Sequence, residues 1–484
     1  MNFKTISRNV GFALLVSALF MLLSVGVSLL NGRDSAFSAL LISFVITGTV
    51  GAFPFIFVRK TNPISLKEGY LIIVLSWLLS FVFGMLPYAL WGDPFTVMNA
   101  WFESVSGFTT TGATILEDIE ILPRSLLFWR SSTHFIGGLG VVVFLLLIIP
   151  DASPVRMRLT NMEISSLSKS SYSSRPYKSV AMFAYVYIAI AVLAFLAYIA
   201  AGMPAFDAVC HAFSVCATGG FSPKNLSIGA YGSRPIELIS MILMVLASIH
   251  FGLVYLSVVN RSLKPLNNPV IKFYLAALAV FSIATGLTLK LQGVEESLGT
   301  AMWVGTFQTI STASTTGFGI VDNSSWPLLP SILVLSIGFM CGCAGSTTGG
   351  VKSDRMLVLL KSAGLQIQRI LHPSSVNEIR MGRRVIKDEN VYPHILYIAI
   401  YCLVLGISII LSLAFGTSGH SAFAASLASL GNVGPAISEL GYMGNFNCVS
   451  AAAKFLYTMD MFLGRVEIYP VLAVVAMIFD RKGR

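Results

Sequence analysis

Four short glycine-bearing segments recur along the 484-residue chain, and three of them also contain threonine. Each follows a stretch of moderate polarity and precedes a long apolar stretch. Their central glycines, Gly112, Gly219, Gly317 and Gly434, are 107, 98 and 117 residues apart. Repetition at such intervals predicts four copies of one structural unit. The segments are 107–113, 216–221, 314–319 and 431–435.

The residue types of these segments suit the dehydration of a cation. A cation entering a membrane must exchange its water for other oxygens, which backbone carbonyls supply without fixed charge. Aiming carbonyls at one axis requires positive φ, which glycine adopts at low cost, while threonine adds hydroxyls and stiffness. Four segments in equivalent places favour an ion filter over ordinary loops. The candidate cation ligands are Thr110, Thr111, Gly112, Ala217, Thr218, Gly219, Thr315, Thr316, Gly317, Asn432, Val433 and Gly434.

A second feature is the stretch 338–350, where five of thirteen residues are glycine. Each glycine inside a helix costs ~1 kcal/mol relative to alanine, so this density predicts a break in the helix. The alternative is close packing of small residues between membrane helices. Ser346, Thr347 and Thr348 favour the unwound loop. Its other candidate residues are Gly342, Gly345, Gly349 and Gly350.

Arg465 is the third feature, because it lies near the middle of the last apolar stretch. A charge at this depth costs at least ~2.5 kcal/mol, which makes the residue a functional candidate. Asp460 and Glu467 lie outside the usual helical pairing distances. A partner on another element, such as the loop 341–350, is therefore expected, with a purely structural buried pair as the alternative.

The composition places these features in a membrane. The chain is 55% hydrophobic and 11% charged, with mean hydropathy +0.79, whereas soluble domains carry about 25% charged residues. Runs of about 20 apolar residues can cross the hydrocarbon. We expect spans near 9–31, 37–58, 69–91, 125–149, 180–202, 235–259, 270–291, 327–350, 392–415 and 450–479.

The distribution of positive charge indicates the orientation of these spans. With the N-terminus inside, the cytoplasmic segments hold 24 of the 32 lysines and arginines. The positive-inside rule then puts both termini in the cytoplasm. The net charge of +10 is expected to face anionic lipid and a cytosolic partner. A nucleic-acid surface needs aromatic residues among the charges on a soluble fold, and the sequence lacks that pattern.

The organisation that follows is all-α and polytopic, with four pseudo-symmetric units of helix, pore helix, filter and helix after an N-terminal helix pair. The stretches 96–108, 204–215, 298–312 and 419–430 are too short to span, which suits re-entrant half-helices. The expected divisions are a helix pair at 1–60, unit 1 at 61–150, unit 2 at 151–260, unit 3 at 261–372 with the loop 338–350, and unit 4 at 373–484.

Other polar residues give weaker signals. His134, His211 and His250 lack a metal-binding spacing and are expected to be hydrogen-bonded core residues, and the six cysteines to be small residues without disulfides. Glu103 and Asp207 could attract cations, although capping and local hydrogen bonds explain them equally well. The sequence contains no nucleophile–base pair and no phosphate-binding loop, so we do not expect an enzyme.

The pattern resembles the Trk/Ktr/HKT superfamily of potassium transporters, and most closely its bacterial Trk-type members. The resemblance covers the N-terminal helix pair, the four filter segments and residues 461–467 (Met-Phe-Leu-Gly-Arg-Val-Glu). A glycine in every segment resembles the potassium-selective members. Gly431 and Val433 stand where the resemblance leads us to expect threonine, while the carbonyls of this segment can still line the pore.

The resemblance implies more than the residues alone. It implies potassium as the transported ion, bound in the filter, without an organic cofactor in this chain. It also implies that the glycine-rich loop is a gate, that Arg465 is a barrier near the pore axis, and that two chains form a dimer. A cytosolic ring with nucleotide-binding RCK domains, resembling TrkA, would regulate the pore.

Potassium uptake across a bacterial inner membrane through a channel-like pore is therefore the expected function. One alternative is a proton- or sodium-coupled potassium symporter on the same scaffold, which a relay of membrane carboxylates would favour. A membrane-embedded enzyme is a remote alternative, because it requires a polar catalytic cluster that the sequence lacks.

Overall fold

The computed structural model describes residues 2–58, 64–148, 176–373, 378–382, 384–386, 388–436 and 438–479. Most of the serine-rich segment 151–179 lies outside these residues, as do Arg383, Lys387 and the basic C-terminus 480–484.

The described chain is mostly helical. A short hairpin of β1 (Ile379–Met381) and β2 (Arg384–Ile386), paired antiparallel, departs from the all-α expectation. The helices are α1 (Phe3–Leu30), α2 (Phe37–Phe57), α3 (Leu66–Gly84), α4 (Leu86–Trp91), α5 (Val97–Phe108), α6 (Arg124–Ile148), α7 (Pro176–Ala200), α8 (Ala205–Cys216), α9 (Arg234–Ser248), α10 (Phe251–Val259), α11 (Pro269–Leu291), α12 (Leu298–Ala313), α13 (Leu328–Met340), α14 (Ser353–Leu371), α15 (Asp388–Ala414), α16 (Gly419–Leu430), α17 (Ala451–Arg465) and α18 (Tyr469–Phe479).

Six stretches of helix in the described chain are long and apolar enough to cross a membrane. They agree with six predicted spans, and a seventh, 125–149, forms the helix α6. The six are Phe3–Leu30, Phe37–Phe57, Lys67–Trp91, Ala181–Ala200, Pro269–Leu291 and Val391–Ala414.

Two predicted spans are wrong as continuous helices. The span 235–259 bends by 101° between α9 and α10, and the span 450–479 bends by 106° between α17 and α18. The helix of the span 327–350 stops at Met340, inside the glycine-rich stretch that predicted a break. At the second bend Glu467 and Ile468 have φ of 59° and 26°, outside the helical region. Hydropathy cannot reveal such breaks, because the residues on both sides of each break remain apolar.

All four predicted half-helices are present. They are α5, α8, α12 and α16, each 12 to 16 residues long. Around α5, the side chains of Phe81, Phe102 and Trp129 are completely buried. The half-helices therefore form the centre of the molecule, and longer helices surround them.

The N-terminal pair packs tightly against itself through glycine. A Cβ atom on Gly11 of α1 would lie 2.6 Å from the carbonyl oxygen of Gly51 in α2. Gly26, in the same helix α1, has no atom within 4 Å of such a Cβ. Gly11 thus permits the close approach of two helix backbones, whereas no other part of the described chain approaches Gly26.

We expect Gly11→Ala to destabilise the protein by about 1–3 kcal/mol, because the new methyl group forces α1 and α2 apart. Gly26→Ala is the matched control and should leave the melting temperature unchanged or slightly raised, since alanine favours helix. The measurement is thermal unfolding of both variants in detergent. Equal melting temperatures would contradict the close contact.

Candidate functional site

Each half-helix ends in the same hydrogen-bonded motif. In the first unit, the Thr111 amide donates to the Ser106 carbonyl and the Thr110 amide to the Gly107 carbonyl. This pair of bonds is the Schellman motif of helix C-termini. The same two bonds recur from Gly219 to Ser214 and Thr218 to Val215, from Thr316 to Ser311 and Thr315 to Thr312, and from Val433 to Ala428 and Asn432 to Ser429.

We number the four residues that follow each half-helix as positions one to four of a filter segment. The filter segments are 109–112, 217–220, 314–317 and 431–434, and each begins at the helix C-cap. Position two is left-handed in every segment, with φ between 53° and 55° at Thr110, Thr218, Thr315 and Asn432. For threonine this conformation stores about 1–3 kcal/mol of strain, which is typical of functional sites. Asparagine tolerates it better.

Position four is a glycine of positive φ in every segment, with values of 85° at Gly112, 85° at Gly220, 75° at Gly317 and 88° at Gly434. The structure therefore corrects the predicted register of the second segment by one residue. Gly220 occupies position four, Gly219 is at position three, and Ala217 is the C-cap. The doublet of glycines made both alignments possible in the sequence. Gly220 was missed for that reason.

The four filter segments close into a ring, because the position-four glycine of each segment lies against the position-three carbonyl of the next. A Cβ atom on Gly112 would lie 2.0 Å from the Gly219 carbonyl oxygen. The contacts continue from Gly220 to the Thr316 carbonyl at 2.1 Å, from Gly317 to the Val433 carbonyl at 2.5 Å, and from Gly434 to the Thr111 carbonyl at 2.3 Å. No other residue type has room at these four places.

The carbonyl oxygens of positions two and three accept no hydrogen bond from another residue in the described parts of the chain. The residues themselves are buried. More than about 90% of buried backbone carbonyls in proteins are paired, so eight exceptions in one ring need a partner from outside the chain. Carbonyl oxygens of this kind are the groups that replace the water of a cation.

An open recess lies on one side of the ring and is lined by all four position-four glycines; we call it the cavity. Glu117 and Lys224 also line it. Lys224 donates to the carboxylate of Glu120 at 2.8 Å, and this hydrogen bond raises the pKa of the lysine ammonium. The cavity is therefore a polar recess next to the filter segments.

Glu103 is not exposed to an approaching cation. It is completely buried, and its carboxylate lies 2.5 Å from Nε of Arg130. It also accepts from the Ile115 amide, while Arg130 donates to the Ser222 carbonyl. The pair thus ties unit 1 to unit 2 behind the filter segments. Arg130 is not among the predicted site residues. Its one signal in the sequence is a positive charge within an apolar stretch.

The candidate histidines are hydrogen-bonded core residues, as expected. His134 contacts the Gly107 carbonyl and the Phe221 amide, and His211 contacts the Asp207 carbonyl and Ser222 Oγ. His250 caps α10 by accepting from Gly252. Asp207 accepts from the Tyr231 hydroxyl. The described residues include no cluster of histidine, cysteine and carboxylate that could hold a metal ion.

The glycine-rich stretch is unwound, but its boundaries differ from the prediction. Residues 338–340 are the last of α13, and the non-helical loop covers 341–352, which we call the intramembrane loop. Ser353 closes its neck, because its amide donates to the Gly342 carbonyl and its hydroxyl to the Cys341 carbonyl. Helix α14 begins at the same residue.

The intramembrane loop lies against the filter segments on the side opposite the cavity. The Gly349 amide donates to Thr315 Oγ1 at position two, and the Thr347 hydroxyl donates to the Cys216 carbonyl at the end of α8. A Cβ atom on Gly349 would lie 2.4 Å from the Gly431 carbonyl oxygen. Since these contacts involve positions one and two, and the cavity involves position four, the loop lies at the other end of the ring.

Arg465 joins the loop to the first unit. Its guanidinium donates to the Thr347 carbonyl at 2.6 Å and to the Gly137 carbonyl of α6 at 3.2 Å. The predicted partner on the loop is therefore present, and the arginine ends α17 where the last span bends. Arg465 and the intramembrane loop together contact all four units.

A buried ion cluster that the sequence analysis did not anticipate holds the end of the loop. Glu467 pairs with Lys352 and with Arg355, each at 2.5 Å, and all three side chains are nearly buried. Lys352 is the last loop residue and has φ of 73°, while Glu467 lies at the bend before α18. The cluster thus links the two irregular segments. Spacing could not reveal it, because more than 110 residues separate Glu467 from its partners.

Comparisons with known proteins agree with this architecture. A family model described as "TrkH: Cation transport protein" matches residues 36–482. The "Trk system potassium uptake protein TrkH" of Salmonella typhimurium is 32% identical over the full length of both chains. The TrkG protein of Escherichia coli is 30% identical over 99% of each. The crystal structure of the potassium transporter TrkH from Vibrio parahaemolyticus superimposes with a TM-score of 0.88, at 30% identity over 99% of this chain and 100% of that one.

The register of the second filter segment can be tested with Gly220→Ala. The new Cβ meets the Thr316 carbonyl and should cost about 1–3 kcal/mol beyond the backbone strain. The matched control is Gly202→Ala, which has a similar φ of 89° but no atom within 4 Å of its Cβ. We expect a larger fall in melting temperature for Gly220→Ala. Equal falls would show that no neighbouring segment lies against Gly220.

Glu467→Gln should destabilise the protein by about 3–5 kcal/mol, because it leaves two buried cations without their carboxylate. The matched control is Glu120→Gln, which removes the carboxylate from the exposed pair with Lys224 and should cost no more than about 1 kcal/mol. Melting temperatures in detergent measure both. A small effect of Glu467→Gln would mean that water reaches the cluster.

Proposed function

Because the chain belongs to the TrkH family of cation transport proteins, we propose that it takes up potassium through a channel-like pore in the bacterial inner membrane. The relatives named above are potassium uptake proteins, and the chain is a multi-pass membrane protein. The observation that carries the proposal is the closed ring of four filter segments with unpaired carbonyls.

The ring suits potassium for two physical reasons. Eight carbonyl oxygens from positions two and three, with nearby threonine hydroxyls, replace the water that the ion loses. The half-helices end at the ring, and their C-termini carry about half a negative charge each, which favours a cation there. Potassium enters from the cavity, binds in the ring and leaves past the intramembrane loop. The proposed ligands follow the corrected register, with Gly220 in place of Ala217.

The intramembrane loop and Arg465 form the proposed gate. The loop contacts units 2, 3 and 4, and Arg465 contacts unit 1 through the Gly137 carbonyl, so the exit from the ring is obstructed in this conformation. Opening requires the loss of the bond between Arg465 and Thr347. The neck at Ser353 and the cluster at Glu467 can stay intact while the tip of the loop moves.

A proton- or sodium-coupled symporter on the same scaffold is the second candidate. The buried carboxylates Glu103 and Glu467 are paired with cations of the chain, which removes them from a relay. Asp460 favours the symporter, because it is buried and accepts a hydrogen bond from the neutral Ser408. An isolated buried carboxylate is a weaker basis than a complete filter, so passive flux is our primary proposal.

The proposal includes partners and orientation. Two chains form a dimer, both termini are cytoplasmic, and a cytosolic ring resembling TrkA, with nucleotide-binding RCK domains, regulates the gate. Helix α14 leads from the loop and carries Lys361 and Arg369 with exposed Ile367 and Ile370. Such a face suits contact with a partner or with anionic lipid.

Flux into proteoliposomes tests the function. We expect potassium to move down its own gradient faster than sodium, with the same rate whether or not a proton gradient is present. A rate that requires a proton or sodium gradient would favour the symporter. The absence of any potassium flux, from folded protein, would contradict both.

Arg465→Ala should raise potassium flux per folded protein, because it removes a positive charge and one tether of the loop. Lowering a limiting barrier by ~1.4 kcal/mol gives a tenfold increase. Arg465→Lys is the control for charge and should keep most of the barrier, although its bonding geometry differs. If Arg465→Ala lowers only the expression level and the melting temperature, while potassium flux per folded protein stays constant, Arg465 has a purely structural role.

A further inference from the structure

His134 lies behind the second filter segment, although it belongs to helix α6 of the first unit. It is completely buried. Its Nδ1 is 2.8 Å from the Gly107 carbonyl, and the Phe221 amide donates to its Nε2 at 3.1 Å. A carbonyl only accepts and an amide N–H only donates, so Nδ1 carries the proton. One neutral imidazole therefore joins the end of α5 to the residue directly after Gly220.

The second filter segment lacks the side chains that support two of the others. In the first segment the hydroxyls of positions one and three, Thr109 and Thr111, are 2.8 Å apart. Ser314 and Thr316 make the same contact in the third. The second segment has Ala217 and Gly219 at these positions, with no hydroxyl at either.

The imidazole of His134 occupies the space that a side chain on Gly219 would need. A Cβ atom on Gly219 would lie 2.5 Å from Cγ of His134. The ring also stacks on Phe221, with the centroids 4.1 Å apart. The second segment is thus supported by a residue of another unit, in place of its own side chain.

We propose that His134 is a positioning residue that sets the ion selectivity of the filter. Its bond to Phe221 holds the second segment at the end nearest Gly220. Gly220 lies against the Thr316 carbonyl, and the Gly219 carbonyl lies against Gly112. A displacement of this segment therefore moves carbonyls of both neighbouring units. The inference rests on the proposed function, since selectivity has meaning only if the ring binds potassium.

Three substitutions separate the contributions of the imidazole. His134→Phe keeps an aromatic ring and loses both hydrogen bonds. His134→Gln can place its amide oxygen near the position of Nε2 and accept from Phe221, which keeps the second segment tethered. His134→Asn can place its amide nitrogen near the position of Nδ1 and bond only to Gly107. His211→Phe is the matched control, because His211 is equally buried and bonded at both nitrogens. Its imidazole bonds to Ser222, one residue further from Gly220 than Phe221, and does not lie against a glycine of a filter segment as His134 does.

The readout is the melting temperature of purified protein during titration with potassium or sodium chloride at constant ionic strength, which reports ion binding independently of the gate. The ratio of the sodium to the potassium midpoint measures selectivity. We expect His134→Phe to lower this ratio about fivefold to tenfold, the equivalent of one buried hydrogen bond. His134→Gln should keep the ratio of midpoints closer to the wild-type value than His134→Asn does. His211→Phe should leave this ratio unchanged.

An unchanged ratio in His134→Phe overturns the inference, and so does an equal fall in His211→Phe. If His134→Phe does not fold, the comparison of Gln with Asn decides, and equal ratios in these two variants overturn it. A wild-type protein without preference for potassium is a different outcome, because it contradicts the proposed function itself.

Discussion

The closed ring of glycine and carbonyl contacts is the constraint on which the rest of the structure depends. Each position-four glycine admits the carbonyl of the next unit so closely that any Cβ would lie within 2.5 Å of the oxygen. Four units of one chain must therefore approach a common centre with little tolerance. The Schellman motifs fix the direction in which each segment leaves its half-helix. The long helices then serve to hold four half-helices in the required places.

The ring carries costs that the surrounding structure offsets. Three threonines are held at positive φ, and eight buried carbonyls lack partners within the described residues. Behind the ring, the Glu103–Arg130 pair and His134 bind the first unit to the second, and Asn432 donates from the fourth unit to Thr111 of the first. These cross-unit bonds keep the strained segments from relaxing into ordinary loops. The same segments can then offer their carbonyls to an ion.

The intramembrane loop is held in place by bonds at its tip and at its base. Thr347 and Gly349 connect the tip to the filter segments and to Arg465, whereas Ser353 closes the neck. Glu467 fixes Lys352 and Arg355 beneath it. Because Glu467 belongs to the bend between α17 and α18, the base of the loop is attached to both helices. A movement of either helix can therefore displace the tip of the loop. The proposed gate thus lies at the junction of the third and fourth units.

The sequence by itself determined the membrane class, the four repeats, all four half-helices and the irregular loop, because apolar length and glycine density are local properties. It also identified Arg465, since a charge within an apolar stretch can be recognised from the sequence without knowing its contacts in the fold. Only the tertiary structure decided the register of the second segment, where Gly219 and Gly220 are equivalent until Gly220 is seen against Thr316. Only it decided the bends at 249–250 and 466–468, the pairing of Glu103 with Arg130, and the cluster at Glu467. These features arise from contacts between residues far apart in the chain, and such contacts leave no mark in local composition.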